Sequence, residues 1–231
     1  MDIFGTALAA YLGGVRDREI TIRRDDDSVD GHSPGLYFAE APFPHEVAAL
    51  ARVEAPVLDV GCGAGRHLLW LQRQGLEAVG FDISPGAVEV CRARGCADVR
   101  CLDVLAGADL PEVGTALLFG NNIGLGGTRE RTVKLLRILR GAVRPGGRIV
   151  LTALDIAATQ DPTHLAYHRR NAARGRPRGE IRIRLEYHGQ VGPWFGWHHP
   201  EPGELRTLAA ESGWAVDTLE PAGPFYWAVL R

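Results

Sequence analysis

The chain has 231 residues, of which 45% are hydrophobic and 23% are charged, and its formal net charge is −2. These proportions are typical of a globular domain and exclude a wholly disordered chain, a collagen-like repeat and a long coiled coil. A general duplex-binding protein normally carries a basic excess, because contacts with phosphates supply its affinity. Nucleic acid is therefore not the expected partner.

The first 54 residues are predicted to form a helix, a hairpin and a lid. Apolar residues recur at helical spacing over 2–18, as far as the pair Gly13 and Gly14. The alternating polar stretch that follows has an acidic centre and is typical of an exposed hairpin. The segment 33–46 is rich in proline and aromatic residues, which predicts an irregular strap leading into a helix over 45–52.

Short strands and helices alternate over residues 55–155, the predicted core. The predicted strands are 57–60, 78–83, 98–104, 115–120 and 148–154. The helices between them are predicted at 66–74, at 85–95 with Ser84 as N-cap, and from Thr128 to about Val143. This alternation is typical of a parallel sheet that is covered by helices on both faces.

The alternation ends after Asp155. A helix over 160–174, an antiparallel strand over 181–189 and an aromatic stretch over 191–199 predict an inserted lobe on the substrate side, at 156–200. A helix over 201–212 and two terminal strands complete the chain. Because no linker is long enough to separate two units, we predict one domain over 1–231, with a core at 55–155 and a closing segment at 201–231.

The cysteine content and the lengths of the apolar stretches indicate the cellular compartment. Four cysteines are present, and because Cys91, Cys96 and Cys101 fall on predicted helix, turn and strand, their side chains are expected to scatter. We therefore predict neither a metal site nor a disulfide framework. No apolar stretch approaches a membrane span, and no charged segment followed by a long apolar run opens the sequence. A cytoplasmic, reduced protein without a membrane partner is expected.

The segment VLDVGCGAGRH (57–67) combines a glycine-rich turn with an acidic residue. Gly61, Gly63 and Gly65 lie between a predicted strand and helix, where bare backbone can approach a ligand at the sheet edge. The spacing lacks the third glycine of a dinucleotide G-x-G-x-x-G loop. Asp59 would repel a pyrophosphate but attract an ammonium group, and the helix N-terminus suits a carboxylate. The ligand is therefore expected to have an amino-acid end.

Two further aspartates follow predicted strands. Asp82 lies about twenty positions beyond the loop, where an acidic residue accepts hydrogen bonds from ribose hydroxyls. Asp103 is placed to accept from the exocyclic amine of a base, and the adjacent Ile83 and Val104 predict apolar contact with a purine ring. An amino acid, a ribose and an adenine together describe S-adenosylmethionine.

The sequence resembles the class I S-adenosylmethionine-dependent methyltransferases over about residues 55–155. The resemblance rests on VLDVGCGAG (57–65), GFDIS (80–84), CLDV (101–104), LLFGNN (117–122) and RPGGRIVL (144–151). It implies a Rossmann-like α/β fold with a seven-stranded, mostly parallel sheet, an antiparallel last strand and helices on both faces. It also implies S-adenosyl-L-methionine as the cofactor, with the following residues as its contacts: Asp59, Gly61, Cys62, Gly63, Gly65, Asp82, Ile83, Asp103, Val104, Gly120 and Asn121.

The end of the fourth predicted strand departs from the family pattern. Many members have an acidic residue there, whereas this chain has Asn121 and Asn122. An amide side chain cannot take up a proton at neutral pH. Neither a general base nor a catalytic metal is therefore predicted at this position.

Aromatic and histidine residues outside the core are the candidates for the acceptor side. In relatives, N-terminal aromatics often fold over the methionine end, and the region after strand five commonly builds the acceptor pocket. The predicted substrate contacts are Tyr37, Phe38, Asn122, Tyr167, Trp194 and Trp197. The predicted bases are His168, His198 and His199, because histidine titrates near neutral pH. An aromatic cap over the sheet is the alternative interpretation of this region.

We predict an enzyme that transfers a methyl group from S-adenosylmethionine to an O or N atom of a small-molecule acceptor. The protein would align the nucleophile, the methyl carbon and the sulfur for in-line displacement. Two alternatives remain open: a protein that binds the cofactor without turnover, as a sensor or partner subunit, and a methyltransferase that acts on RNA or protein. An NAD-type oxidoreductase is disfavoured by the loop spacing and by Asp59. The oligomeric state is not predicted.

Overall fold

The computed structural model describes residues 1–107 and 109–231, which contain seven α-helices and twelve strands. The helices are α1 (Ile3–Leu12), α2 (Pro44–Leu50), α3 (Arg66–Arg73), α4 (Pro85–Ala93), α5 (Arg129–Ala142), α6 (Pro162–Ala173) and α7 (Pro202–Glu211). The strands are β1 (Ile20–Arg24), β2 (Val29–His32), β3 (Val57–Val60), β4 (Ala78–Asp82), β5 (Val99–Cys101), β6 (Val113–Leu118), β7 (Val143–Leu154), β8 (Glu180–Tyr187), β9 (Gln190–Val191), β10 (Phe195–His198), β11 (Val216–Ala222) and β12 (Phe225–Leu230).

The main sheet has seven strands in the order β11-β12-β7-β6-β3-β4-β5. The neighbours from β7 to β5 pair in parallel, whereas β12 pairs antiparallel with both β7 and β11. The predicted seven-stranded, mostly parallel sheet with an antiparallel last strand is thereby confirmed. All carboxyl ends of the parallel strands meet at one edge, and ligands bind at this edge in open α/β sheets.

Both faces of the main sheet are buried under helices. Successive residues of β3 point to opposite faces: Leu58 packs in the cluster that contains Leu135 of α5, and Val57 packs with Leu71 of α3. The central strands β3 and β6 are buried along their whole length, as expected for strands covered on both faces. The carboxyl edge is thus the part of this sheet that remains for a ligand.

A second sheet brings together two distant parts of the chain. Its strand order is β10-β8-β1-β2, with β9 paired to β8, and all pairings are antiparallel. Ile22 of the N-terminal hairpin pairs with Leu185, and Phe195 pairs with Ile183. The sequence analysis treats the hairpin and the segment 156–200 as separate additions to the core. They form one sheet, which we call the cap sheet.

Several element boundaries differ from their predictions for local reasons. The strand predicted at 98–104 ends at Cys101, because the Asp103 carboxylate accepts from the backbone N–H of Leu105 and caps a short 3₁₀ turn. The strand predicted from 148 begins earlier, at Val143, which pairs with Val113 across a register shift. The aromatic stretch contains β10, a strand that the sequence analysis did not predict.

The expectation that the cysteines scatter is wrong. Cys62, Cys91 and Cys96 are buried together between the glycine loop and α4, and the Sγ atoms of Cys62 and Cys91 are 4.0 Å apart. The thiol of Cys91 donates to the carbonyl of Gly63 at 3.1 Å. Cys101 is exposed. The three buried thiols act as small apolar groups that support the loop from beneath.

Candidate functional site

The glycine loop bends between β3 and α3, as predicted. Gly61, Gly63 and Gly65 have φ angles of +77°, +56° and +78°, a region that residues with a Cβ rarely adopt. The backbone N–H groups of Gly61 and Cys62 donate to the carbonyl of Phe81 at 2.7 and 3.0 Å, which fixes the loop to the end of β4. The side chain of Cys62 points into the cysteine cluster, so this residue offers the ligand its backbone only.

Replacing Gly65 by alanine is expected to lower the melting temperature by several degrees. Its backbone would be strained, and the added Cβ would lie 3.0 Å from Sγ of Cys91 and closer still to Sγ of Cys96. Strain and overpacking together cost about 1–3 kcal/mol. The control is Gly75→Ala, because Gly75 has a similar φ of +72° but open space around it. Equal melting temperatures for the two variants would show that the cysteine contacts do not matter.

Asp82 joins the end of β4 to the glycine loop. Its side chain is 7% exposed, and its two carboxylate oxygens accept from the backbone N–H groups of Gly63, at 2.8 Å, and Ser84, at 2.9 Å. Burial raises the pKa of Asp82. A carboxylate can accept about four hydrogen bonds, so capacity remains for the hydroxyls of a ligand at this edge.

The neighbouring strand ends carry the other residues predicted to contact a base. Asp82 and Cys101 pair in register, so Asp103 and Ile83 lie at adjacent strand ends. Ile83 is 66% exposed and presents an apolar surface there, whereas Val104 is buried in the main core. The predicted contact between Val104 and a purine ring is therefore wrong, and Ile83 alone offers that contact.

Asp59 is a buried carboxylate without a hydrogen-bond partner. It is 1% exposed, and neither of its oxygens has a partner among the described residues. Nδ1 of His67 lies 3.9 Å from its Oδ2, beyond hydrogen-bond distance. Burial raises the pKa of Asp59, because an uncompensated charge is costly away from water. Such a group suits a ligand that brings its own cation, and the ammonium of an amino acid is one.

A buried ion network lies beside Asp59, and the sequence analysis missed it. Glu46 of α2 is fully buried, and its oxygens accept from Nη1 and Nη2 of Arg66, both at 2.6 Å. Nε2 of His67 lies 3.2 Å from Oε1 of Glu46, and the backbone N–H of Phe43 donates to Oε2 at 2.8 Å. Although burial opposes it, hydrogen bonding from Arg66 and His67 holds the pKa of Glu46 well below its ordinary value.

The network ties the strap to the first two residues of α3. The only sequence signal was a glutamate at the third position of the helix that begins at Pro44, which is typical of helix capping. That pattern does not reveal the partners on α3, because they come from a separate segment of the chain. We call Glu46, Arg66 and His67 the ion network.

The N-terminal helix crosses the start of α4 at close range. The Asp2 carboxylate accepts from the backbone N–H groups of Gly5 and Gly86, both at 2.9 Å, and from the hydroxyl of Ser84. A Cβ on Gly5 would lie 2.7 Å from Cα of Gly86, so the crossing needs glycine at this point. Asp2 thus holds α1 against the end of β4.

This crossing places two aromatic rings over the glycine loop. The rings of Phe4 and Tyr37 are 5.0 Å apart and nearly perpendicular, and both lie beside Gly63. Burial, with the charge of Asp82 acting in the same direction, raises the pKa of Tyr37 to about 12. The structure therefore places Tyr37 over the loop, where a contact was predicted, and adds Phe4, which was not.

Three predicted substrate contacts already have partners within the protein. Phe38 packs between Tyr11 and Arg94 and against the cluster that contains Leu8 and Ala64. Tyr167 is buried, with its hydroxyl donating to Asp25 at 2.8 Å and two guanidinium groups against its ring. Trp194 lies under Arg182 and Arg184, which alternate with the buried Ile183 and therefore lie on the outer face of the cap sheet. The prediction for Trp194 is wrong, whereas those for Phe38 and Tyr167 stay predictions.

Gly120, Asn121 and Asn122 hold the site together. The backbone N–H of Gly120 donates to the hydroxyl of Thr152, and Oδ1 of Asn121 accepts from the N–H of Leu154 at 2.6 Å. Nδ2 of Asn122 donates to the carbonyls of Val60 and Gly61, at 2.7 and 2.8 Å. These groups fasten β6 to β7 and to the glycine loop, and the predicted ligand contacts of the three residues stay predictions.

Two of the three histidines predicted as bases, His168 and His198, are buried, and His199 is partly buried. His198 is fully buried between α5 and α7, with Nδ1 3.0 Å from the Thr132 hydroxyl and Nε2 3.2 Å from Glu204. Burial lowers the pKa of His168 to about 4 and that of His199 to about 4. Imidazoles with so low a pKa are poorly suited to remove a proton from a bound acceptor. The structure therefore does not support His168 and His199 as bases, and the enclosed position of His198 between Thr132 and Glu204 does not support that residue either.

The cap sheet spans the carboxyl edge of the main sheet. At one end, β10 packs on the turn 122–126 that follows β6, where the indole of Trp197 lies against Gly124. At the other end, Ile20 and Tyr187 pack on Ile3 of α1. Tyr187 at one end and Trp197 at the other therefore lie where the cap sheet meets the core.

Fold and site together define a class of protein. A doubly wound sheet, a glycine loop after its first core strand and carboxylates at the next strand ends form a Rossmann-like fold that binds an adenosine-containing cofactor. Among the described residues, no helix is both long and apolar enough to cross a membrane.

Comparison with known proteins gives the family. Residues 57–147 match the family model described as a methyltransferase domain. These residues therefore form a methyltransferase domain, and the fold is that of the class I S-adenosylmethionine-dependent methyltransferases. The resemblance drawn from the motifs is confirmed, and with it the class of cofactor that the family uses. A search of the curated proteins gave no match.

Solved structures of similar fold include three methyltransferases. One, from Bacteroides fragilis and in complex with S-adenosyl-L-homocysteine, is 28% identical with a TM-score of 0.86, and the match covers 100% of this chain and 94% of that one. The CcbJ methyltransferase from Streptomyces caelestis is 16% identical with a TM-score of 0.62, over 84% and 92%. The O-methyltransferase NcsB1 from neocarzinostatin biosynthesis is 20% identical with a TM-score of 0.52, over 75% and 47%. The last two show likeness of fold alone.

Proposed function

We propose that this protein transfers a methyl group from S-adenosylmethionine to an O or N atom of a small-molecule acceptor. The observation that carries the proposal is the carboxyl edge itself. This edge combines the bare glycine loop, Asp59, which lacks a hydrogen-bond partner among the described residues, and Asp82, whose carboxylate accepts from two backbone N–H groups. This set matches a ligand that has both an ammonium group and a ribose.

Each part of the cofactor has residues that fit it. The ammonium group is assigned to Asp59, whose buried carboxylate lacks a partner among the described residues. The ribose hydroxyls are assigned to Asp82, and the adenine to Ile83 and Asp103 at adjacent strand ends. Tyr37 and the bare backbone at Gly63 lie between these ends of the ligand. Bound in this way, the cofactor supplies a methyl group already activated by the sulfonium.

The cap sheet favours a small acceptor over a macromolecule. It lies across the edge between α1 and the turn 122–126, so an acceptor must enter beneath it. Trp197 and the partly exposed Phe195 and Ile22 face this side, because their strand positions alternate with those of the outer arginines. Apolar and aromatic walls with few polar groups are typical of sites for small molecules.

The protein's own contribution to the reaction is alignment. With the acceptor held beneath the cap sheet, its nucleophilic atom, the methyl carbon and the sulfur can lie in line. Positioning of bound reactants supplies about 7–11 kcal/mol of a barrier. The aromatic cover at Phe4, Tyr37 and Trp197 excludes water from the same space.

Calorimetry with S-adenosylmethionine, S-adenosylhomocysteine and NAD tests cofactor binding. We expect the two adenosyl ligands to bind and NAD not to bind. Binding of NAD without either of the others would overturn the proposal.

Turnover is tested by the release of S-adenosylhomocysteine in the presence of acceptors. The panel consists of small phenols, alcohols and amines, with RNA and a protein extract as separate arms. Release with small molecules supports the proposal, whereas release with RNA or protein alone would replace it. Cofactor binding without release in any arm would favour a sensor or partner subunit. The expected cytoplasmic location remains a prediction.

A further inference from the structure

We infer that His67 is a positioning residue that orients Asp59 toward the amino end of the cofactor, and that Glu46 fixes His67 in this role. The inference rests on the proposed function, because it names the group that prepares the methionine end of the same site. It concerns the ion network, which comes from α2 and α3 rather than from the strand ends.

The imidazole of His67 lies between two buried carboxylates. Nε2 is 3.2 Å from Oε1 of Glu46, and Nδ1 is 3.9 Å from Oδ2 of Asp59. The ring also meets Phe119 edge to face, with centroids 5.0 Å apart and planes at 89°. The contacts with Glu46 and Phe119 hold the ring in one orientation, with Nδ1 on the side of Asp59.

The two buried carboxylates beside His67 differ in their number of hydrogen-bond partners. Glu46 is saturated by the fork of Arg66, by His67 and by the N–H of Phe43. Asp59 has only the distant Nδ1 of His67, and its oxygens have no hydrogen-bond partner among the described residues. A buried carboxylate left in this condition costs stability. A cationic ligand would remove that cost, and His67 sets the direction in which the carboxylate faces it.

A purely structural role would not require this arrangement. The Glu46–Arg66 fork already joins the strap to α3, since both of its bonds are 2.6 Å long. A hydrophobic residue at position 67 would pack on Phe119 without bringing a polar atom toward Asp59. Buried polar groups are retained for specificity in some proteins and can often be replaced by apolar residues without loss of stability. Nδ1 of His67, the polar atom that faces Asp59, is therefore the feature that a purely structural role does not explain.

The experiment compares two adenosyl ligands by calorimetry. S-adenosylhomocysteine carries the amino-acid end, and 5′-methylthioadenosine lacks it. In His67→Phe, which keeps the aromatic packing, we expect affinity for S-adenosylhomocysteine to fall about five- to tenfold, the scale of one hydrogen bond. Affinity for 5′-methylthioadenosine should stay within about twofold, because the adenosine contacts are unchanged.

Two further variants separate position from packing. His67→Asn keeps a donor on the side of Asp59 and should retain most of the affinity for S-adenosylhomocysteine. His67→Gln instead extends its amide toward Glu46, so it should lose affinity for S-adenosylhomocysteine as His67→Phe does. It replaces His67→Phe in the comparison if that variant does not fold. Combining Asp59→Asn with His67→Phe should add little to Asp59→Asn alone, because His67 acts through that carboxylate.

The outcomes distinguish this inference from the proposed function. An equal loss for both ligands, or no loss for either, would overturn the role of His67. Additive losses in the double variant would also overturn it. If the unaltered protein binds neither ligand, the proposed function itself fails, whatever the variants do.

Discussion

Replacing Asp82 by alanine is expected to weaken the binding of S-adenosylhomocysteine by at least about tenfold. The Asp82 carboxylate accepts hydrogen bonds from two kinds of donor. It is the acceptor for the N–H groups of Gly63 and Ser84, and we assign it the ribose hydroxyls of the cofactor. Hydrogen bonds to charged groups contribute about 1.5–3 kcal/mol each, and about 1.4 kcal/mol corresponds to tenfold in affinity. The loop would also lose the contact that fixes its middle glycine.

Calorimetry with S-adenosylhomocysteine and 5′-methylthioadenosine measures this effect. Both affinities should fall, because both ligands carry the ribose; this separates Asp82 from His67, for which only the first should fall. The matched control is Asp98→Ala, since Asp98 precedes the next strand but pairs only with Arg100, at 2.9 Å, and is about half exposed. Such surface pairs contribute little, so the control should bind as the unaltered protein does. Unchanged affinity in Asp82→Ala would remove Asp82 from the site.

The core and its ligand edge were predictable because their signals are local. Each core strand is a short apolar run, and a strand buried on both faces must read in this way. The glycines at 61, 63 and 65 lie in one continuous segment with Asp59, and Asp82 ends the very next strand. Chemistry and spacing coincide within about thirty residues. The family resemblance rests on the same segment.

The cap sheet could not be predicted from local patterns. Its central contact joins β1 to β8, and the ion pair between Arg23 and Glu186 bridges 163 positions of the chain. The N-terminal hairpin and the later strand β8 each show an alternation of apolar and polar residues, which is also typical of an exposed hairpin or an edge strand. The sequence pattern therefore does not reveal that the two pair with each other, and only the fold shows it.

The errors on the acceptor side have the same physical origin. Trp197 and His198 are neighbours in β10, and neighbours in a strand point to opposite faces. Without a predicted strand, both seemed available to the site. In the structure, Trp197 lies on the turn at Gly124 and His198 is enclosed between α5 and α7. The residue types Trp and His predicted functional side chains, but the direction in which each side chain points determines whether it can reach a ligand.

Replacing Glu46 by alanine is expected to cause the largest loss of stability. The change leaves Arg66 and His67 buried without their common partner, while the helix that carries Glu46 keeps its other contacts. Removing one member of a buried ion pair costs about 3–5 kcal/mol. For a chain of this size, about 2–4 °C is lost per kcal/mol, so the melting temperature should fall by about 6–20 °C.

Acidic pH should reduce the difference in stability between the unaltered protein and Glu46→Ala. Because its partners lower the pKa of Glu46 in the folded state, the contribution of this carboxylate is complete above the ordinary glutamate pKa of about 4.3 and declines as the pH falls through the lowered value. Denaturant unfolding at pH 7 and at about pH 2.5, well below the ordinary glutamate pKa, should therefore show the unaltered protein and Glu46→Ala converging. A constant difference at both pH values would contradict the assigned charge state.

Two comparisons show whether the ion network serves the fold or the site. Glu89→Ala, on the exposed face of α4, should change the melting temperature little. Glu46→Leu combined with Arg66→Met replaces the ion pair by apolar groups and should recover most of the stability, since such exchanges are often neutral. If His67 needs Glu46 to face Asp59, the stable double variant will still bind S-adenosylhomocysteine less tightly, with little change for 5′-methylthioadenosine. Recovery of both stability and affinity would instead assign the ion network to the fold alone.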